Sequence, residues 1–248
     1  MKWAPHATRK MFRESESVNI FFDTAKDGIK WKGDKPIGLL NRGIGGNVEL
    51  VQNFPKMTKI KATGKWMMEL NNSLFKIDPI ETATASPSIA IFGLSFKSLS
   101  ISKEPRFLFS NESLTRAVSI EDKKIGEEYV GILHIHGNEG SYPTELTFNR
   151  KVWSTLLIQY SCIGDKTEGR FIFNRKNGSF HPGHVSKETD SKLYIGGHPT
   201  KTREHHAMAS FEMYQTPLDE EKDYILSQQM CDCLLDDIEQ RVEDVDSV

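Results

Sequence analysis

Histidine is the side chain whose placement most suggests chemistry in this sequence. Five of the eight histidines fall between positions 181 and 206, at His181, His184, His198, His205 and His206, and two more, His134 and His136, stand two residues apart. In an extended strand alternate side chains point the same way, so His134 and His136 would share one face. Two imidazoles on one face, with His198 as a third donor, make a candidate metal site of the kind that holds zinc or copper. Calcium needs oxygen donors instead, and Asn138, Glu139, Asp165 and Glu168 supply them in loop-like stretches. Calcium and zinc are thus the cofactor candidates, with neither obligatory. Histidines beside Gly and Pro are often simply solvated, and imidazoles titrate near neutrality, so a polar, pH-responsive surface stays open beside the metal reading.

A candidate ligand-binding set lies close by. Arg150, Lys151, Arg170, Arg175 and Lys176, followed by His181 and His184, could gather positive charge on one side of adjacent strands and attract sulfated glycans or acidic partners. A solvated charged face is the alternative. No catalytic residue is assigned. A retaining glycosidase needs two carboxyl groups about 5 Å apart on one strand face. The nearest pattern, Lys76-Ile77-Asp78-Pro79-Ile80-Glu81, has a lysine where the nucleophile belongs and a proline that interrupts strand pairing. Neither a Gly-x-Ser-x-Gly elbow nor a His-Glu-x-x-His pair occurs. The glycine-rich stretch at 41–47, NRGIGGN, lacks the Lys-Ser/Thr that a phosphate loop requires and reads as turns.

Composition narrows the partners. The chain has 248 residues, with 32 Lys plus Arg against 34 Asp plus Glu. Such a balance creates no global field to concentrate nucleic acid or an anionic membrane. No apolar run approaches the roughly 20 residues of a membrane span, and the first residues lack the apolar core of a signal peptide. The expectation is a protein kept inside the cell, or an extracellular or cell-surface protein if the sequence is a processed fragment. Three cysteines, Cys162, Cys231 and Cys233, are too few for a disulfide framework.

Strands must position all these groups. Apolar alternation marks 18–23, 29–31, 66–70, 88–99, 106–110, 115–120, 129–136, 144–148, 153–160, 170–174, 192–197 and 207–214, with Gly, Pro, Asn and Asp between them. Along 88–99, Ala90, Phe92, Leu94, Phe96 and Ser98 fall on one face and are expected inside. Lys176-Asn177-Gly178-Ser179 reads as a tight hairpin turn, because Asn-Gly tolerates positive φ. An all-β antiparallel sandwich follows. Residues 1–15 read as a flexible arm, 16–217 as the sandwich, and 218–248 as an acidic α-helix. In that helix Tyr224, Gln228, Cys231, Leu235, Ile238, Val242 and Val245 step by four and three, a short heptad seam. The seam packs either on its own domain or on another copy.

The strand order carries a resemblance. The Ser88–Leu99 alternation, Leu108–Ser110, the strand opened by Trp153, the run Ile172-Phe173-Asn174-Arg175-Lys176-Asn177-Gly178, then Leu193-Tyr194-Ile195-Gly196-Gly197 and finally 207–214 resemble the laminin G and concanavalin A-like jelly-roll superfamily. The likeness covers about the last 160 residues of the chain. It implies a two-sheet jelly-roll sandwich acting as a non-catalytic module that binds a glycan or protein ligand through rim loops, with calcium as the usual ion. It also resembles thrombospondin N-terminal and pentraxin-like modules, which implies cell adhesion and homo-oligomers, here through residues 218–248. A structural or assembly protein, such as a capsid component, and a degenerate glycoside hydrolase are the other readings. If the seam associates, the full chain has a larger mass in solution than the chain ending at Pro217, most of all in oxidising buffer. An unchanged monomer in both ends the coiled-coil reading.

Overall fold

Regular alternation of large apolar residues with small or polar ones decides the layers. The computed structural model describes residues 18–23, 28–40, 48–59, 66–77, 88–150, 152–163, 166–183 and 192–217. Their strands are β1 (Val18–Asp23), β2 (Ile29–Lys32), β3 (Lys35–Leu39), β4 (Val48–Gln52), β5 (Lys56–Lys59) and β6 (Trp66–Leu70). Then come β7 (Leu74–Ile77), β8 (Ser88–Ser98), β9 (Arg106–Asn111), β10 (Ala117–Ile125), β11 (Glu128–Gly137) and β12 (Gly140–Asn149). The last are β13 (Ser154–Ile163), β14 (Lys166–Phe173), β15 (Lys176–Phe180), β16 (Leu193–Ile195) and β17 (His206–Pro217). Among the described residues there is no α-helix. The expected arm at 1–15 and helix at 218–248 lie outside the described residues.

The strands form two large antiparallel sheets packed as a jelly-roll sandwich. One runs β15-β14-β13-β8-β17-β6-β5, with β1 also paired to β17; the other runs β12-β11-β10-β9-β16-β7-β4. A β2–β3 hairpin stands apart. The long strand β8 sits at the centre of the first sheet, between β13 and β17. Ala90, Phe92, Leu94 and Phe96 point inward as expected and are buried. The opposite face of β8 is buried too, with Ile91 1% and Ser95 0% exposed.

Aromatic rings fill the space between the sheets. Phe92 stacks on Phe109 at 5.4 Å, Phe148 meets Phe173 edge to face at 5.4 Å, and Phe109 meets Phe211 at 5.3 Å. Each such pair adds about 1 kcal/mol beyond the area it buries. Near the sheet edges three of these rings lie over glycines on the neighbouring strand. Gly131 pairs with Phe148, Gly169 with Phe180, and Gly178 with Phe171. A β-carbon at any of the three would overlap the ring.

That packing corrects the hairpin read from the sequence. The β14–β15 turn is Asn174-Arg175, with φ of 47° and 66°, flanked by the pair Phe173–Lys176. Positive φ at both central residues is the two-residue hairpin geometry. Asn177 and Gly178 lie one step later, inside β15. Gly178 is needed for the room it gives Phe171, and the turn is fixed by the Asn174 side chain instead. Its Oδ1 accepts from the Thr155 backbone N–H at 2.9 Å, and its Nδ2 donates to Ser154 Oγ at 3.2 Å. Gly178→Val should therefore lower stability by about 1–3 kcal/mol through overpacking, whereas Asn177→Ala at an exposed site should change it by under about 0.5 kcal/mol. Urea unfolding of the two variants checks this, and the reverse ranking would restore the turn to Asn177-Gly178.

Candidate functional site

Where the edges of the two sheets face each other beyond β12 and β15, an open groove of about 240 Å³ remains. Its floor is Leu146, Phe148 and Phe173, and Thr147, Asn149, Val152, Ser154, Asn174 and Lys176 form its rim. The loop from β12 to β13 and the tip of the β14–β15 hairpin build it, so it is a rim site. Val152 is 50% exposed at its mouth. Asn174 and Ser154 are committed to the turn. Among the described residues the side chains of Thr147, Asn149 and Lys176 have no polar partner. None of the lining residues is Asp, Glu, His or Cys.

Of the expected cationic set, only Lys176 lines this groove. Arg150 is corrected: it is buried between the sheets, where its charge is spent on carboxylates. Arg170 is partly exposed and lies 3.8 Å from Glu168 on its own strand. Arg175 caps the hairpin tip, and His181 is exposed just after β15. Lys151 and His184 lie outside the described residues, as do Asp78, Glu81 and Asp165.

The three histidines of the metal reading each have local partners. His134 and His136 do share the outer face of β11, but each has its own local partner. His134 Nε2 lies 3.1 Å from Glu121, and His136 Nε2 lies 2.8 Å from Ser119 Oγ. His198 Nδ1 accepts from the Thr200 backbone N–H at 3.1 Å, which leaves Nε2 to donate to the Glu112 carbonyl at 3.3 Å. It and His136 both pack near the Phe107 ring, with centroids 6.1 and 5.2 Å from it. Among the described residues no three His, Cys, Asp or Glu side chains are grouped to hold a metal ion. Of the calcium candidates, Glu139 hydrogen-bonds Tyr142.

Arg150 belongs to a buried network that no local sequence feature announces. Arg106 Nη2 lies 2.6 Å from Asp122 and 3.1 Å from Glu204, and Arg150 contacts Asp122 closely and Glu204 at 3.3 Å. Ser98 Oγ, from the opposite sheet, donates to Glu204 at 2.9 Å and accepts from Arg150 Nη2. Asp122 also accepts from the Ser102 backbone N–H at 2.7 Å. Burial pushes the Glu204 carboxyl up, and the two arginines pull it back down.

Two neutral histidines flank this region. Burial lowers His206 to about 4, and its Nδ1 donates to the Glu204 carbonyl at 3.0 Å. Burial, with His134 nearby, lowers His136 to about 4.

Fold and groove together define a two-sheet jelly-roll sandwich with a small open cleft at its rim. No family model matches the chain and no curated protein does. Among solved structures, it is similar to the receptor binding domain of botulinum neurotoxin D, with a TM-score of 0.51, 11% identity, and coverage of 87% of this chain and 53% of that one. It is also similar to domain 4 of AbnA, a GH43 extracellular arabinanase from Geobacillus stearothermophilus, in complex with arabinotriose. There the TM-score is 0.50 at 10% identity, covering 82% of this chain and 94% of that one. The chain spans about half the length of the botulinum toxin domains. At these identities the likeness is one of fold.

Unfolded, both histidines titrate near 6.5; folded, near about 4. Unfolding therefore takes up protons between these values, and stability falls as pH falls through that window, by at most about 3 kcal/mol per histidine. Glu69, lowered by its bond to His205, adds to the loss at the acid end, while the raised Glu204 works in the opposite direction. Urea midpoints measured from neutral to mildly acid pH should show a slope reduced by up to one proton in His206→Gln and in His136→Gln. A slope unchanged in both removes the histidines as its cause.

Proposed function

We propose that this chain is a non-catalytic binding module that takes a glycan in the rim groove between β12 and the β14–β15 hairpin. The observation that carries this reading is the groove's composition. Uncommitted amide, hydroxyl and ammonium groups at Asn149, Thr147 and Lys176 surround an apolar floor. Sugars present just that mixture, with C–H faces for the floor and hydroxyls for a few placed polar groups. Two folds of this kind support the reading by analogy, one described as a receptor binding domain and one in complex with arabinotriose.

The laminin G-like resemblance belongs to the same reading, as does self-association through residues 218–248. Of the remaining cationic candidates Arg175, at the hairpin tip beside Asn174 and Lys176, is the one placed to tune its affinity, while Arg150 acts only as its internal anchor. Screening the full chain on a glycan array, followed by calorimetry with the best saccharide, tests the proposal. Asn149→Ala and Val152→Asp should each weaken binding about tenfold, with His134→Ala at the parent value. An array with no bound saccharide, or both groove variants binding like the parent, overturns it.

A further inference from the structure

Between β16 and β17 the chain makes an excursion, residues 196–205, that is fastened on both faces of its sheet. On the outer face His198 packs beside Phe107 and Tyr194, with ring centroids 6.1 and 6.3 Å away. Arg203 donates to Gln52 Oε1 at 2.7 Å, to the Asn72 carbonyl at 3.2 Å and to the His198 carbonyl at 3.2 Å. The backbone returns to the sheet through Phe107 N–H to the Thr202 carbonyl and Glu204 N–H to the Phe107 carbonyl. The ends are tied as well, by Gly196 N–H to the Leu108 carbonyl, Ser110 Oγ to the Gly197 carbonyl and Leu99 N–H to the His205 carbonyl, and Thr202 Oγ1 donates to Glu104 at 3.0 Å. On the inner face the Glu204 carboxylate is held by Arg106, Arg150 and Ser98.

His206 stands directly beside that fastening. Its ring is fully buried, and its strand partners are Leu70 on β6 and Ser98 on β8. Because Nδ1 donates to the Glu204 carbonyl, Nε2 carries the lone pair, and among the described residues it has no hydrogen-bond partner. A proton arriving there needs an acceptor. Ser98, its strand partner on β8, is already bound to Glu204 and Arg150, and through them the site joins the charges of Arg106 on β9, Asp122 on β10 and Arg150 after β12; His205 is the charged neighbour that acts on the ring itself. On the outer side lie Lys97 and the His205–Glu69 pair, 3.0 Å apart. The four network charges sum to zero, so a charged His206 leaves one uncompensated cation in a dry site. Glu204 accepts from the ring through its backbone carbonyl, and its carboxylate is bound to Ser98, the strand partner of His206. Turning that carboxylate toward the imidazolium takes it away from the arginines.

We propose that His206 and Glu204 form an acid-operated latch: protonation of His206 releases residues 196–205 from the sheet and uncovers Phe107 and Tyr194. Neutral His206 leaves Glu204 with its arginines and the segment closed. The inference is independent of the glycan reading, since none of these residues lines the groove.

Hydrogen exchange of the full chain, compared at about pH 7 and about pH 5 after correction for intrinsic rates, tests it. Amides of 196–205 should exchange at least about tenfold faster at the lower pH, while β8 and β13 stay protected. His206→Gln should abolish this local response, and His205→Gln should retain it. Should His206→Gln not fold, a titration of the His206 ring by NMR in the native chain replaces it, and its midpoint should coincide with the opening of the segment. Three results overturn the latch: opening of 196–205 only together with β8 and β13, opening that persists in His206→Gln, or a ring midpoint unrelated to the opening.

Discussion

Two arginines and two carboxylates sealed between the sheets constrain the rest of this sandwich. Side chains of Arg106, Asp122, Arg150 and Glu204 are 0–6% exposed. Desolvating such groups costs several kcal/mol per ion unless each finds a partner, and removing one partner costs about 3–5 kcal/mol because its mate stays buried. The arrangement is stable only as a whole. Its members come from β9, β10, the end of β12 and the approach to β17, with Ser98 of β8 reaching in from the opposite sheet. The sheets are therefore held in one relative position by directional contacts, whereas the aromatic core alone would tolerate some sliding.

The same network shapes the groove. Arg150 follows Asn149, so fixing its guanidinium inside turns Asn149 outward onto the rim. Trp153, buried with Ala207, Met67 and Leu99, pins the far end of the loop. Asn174 then ties the hairpin tip to the start of β13 through Thr155 and Ser154. Three anchors of different kinds thus hold a short wall of exposed side chains. A binding site on such a wall loses little entropy when it closes on a ligand.

Most strands were legible because alternation over five or more residues survives in the sequence, as in Ser88–Ser98 and Glu128–Gly137. The short edge strands Lys35–Leu39, Val48–Gln52 and Lys56–Lys59 were not, since an edge strand facing solvent needs no apolar alternation, nor was Leu74–Ile77, an interior strand of four residues that reads as loop because it is too short to show a period and runs into Asp78-Pro79. Asn177-Gly178 misled because a glycine required under an aromatic ring has the same local signature as a turn glycine. The turn used Asn174-Arg175, where a side-chain bond to β13 makes positive φ tolerable. Arg150 read as surface because charge normally is; its partners lie 28 and 54 positions away, and nothing local encodes them. His134 and His136 were placed on one face correctly, yet the Ser119 and Glu121 partners that decide their role belong to another strand. Thr147, Asn149 and Val152 have ordinary identities, and only the meeting of two sheet edges gives them a role.

Proton balance gives the sandwich a built-in asymmetry. The network is neutral only while Glu204 is ionised and His206 is not. One proton added at either place leaves the two arginines with a single counter-charge or adds a third cation, and the excess is the same, one positive charge in a dry site. Removal of a proton meets no comparable weak point. The arginines hold theirs far above physiological pH, and burial drives the Tyr160 hydroxyl, which donates to the His136 carbonyl at 3.0 Å, upward and away from ionisation. Among the described residues, Glu204, His206 and Glu69, bound to His205, lie in or against the segment between β16 and β17. A fold fastened this way yields first at one place when the pH falls, and that place is set by where the buried charges had to meet.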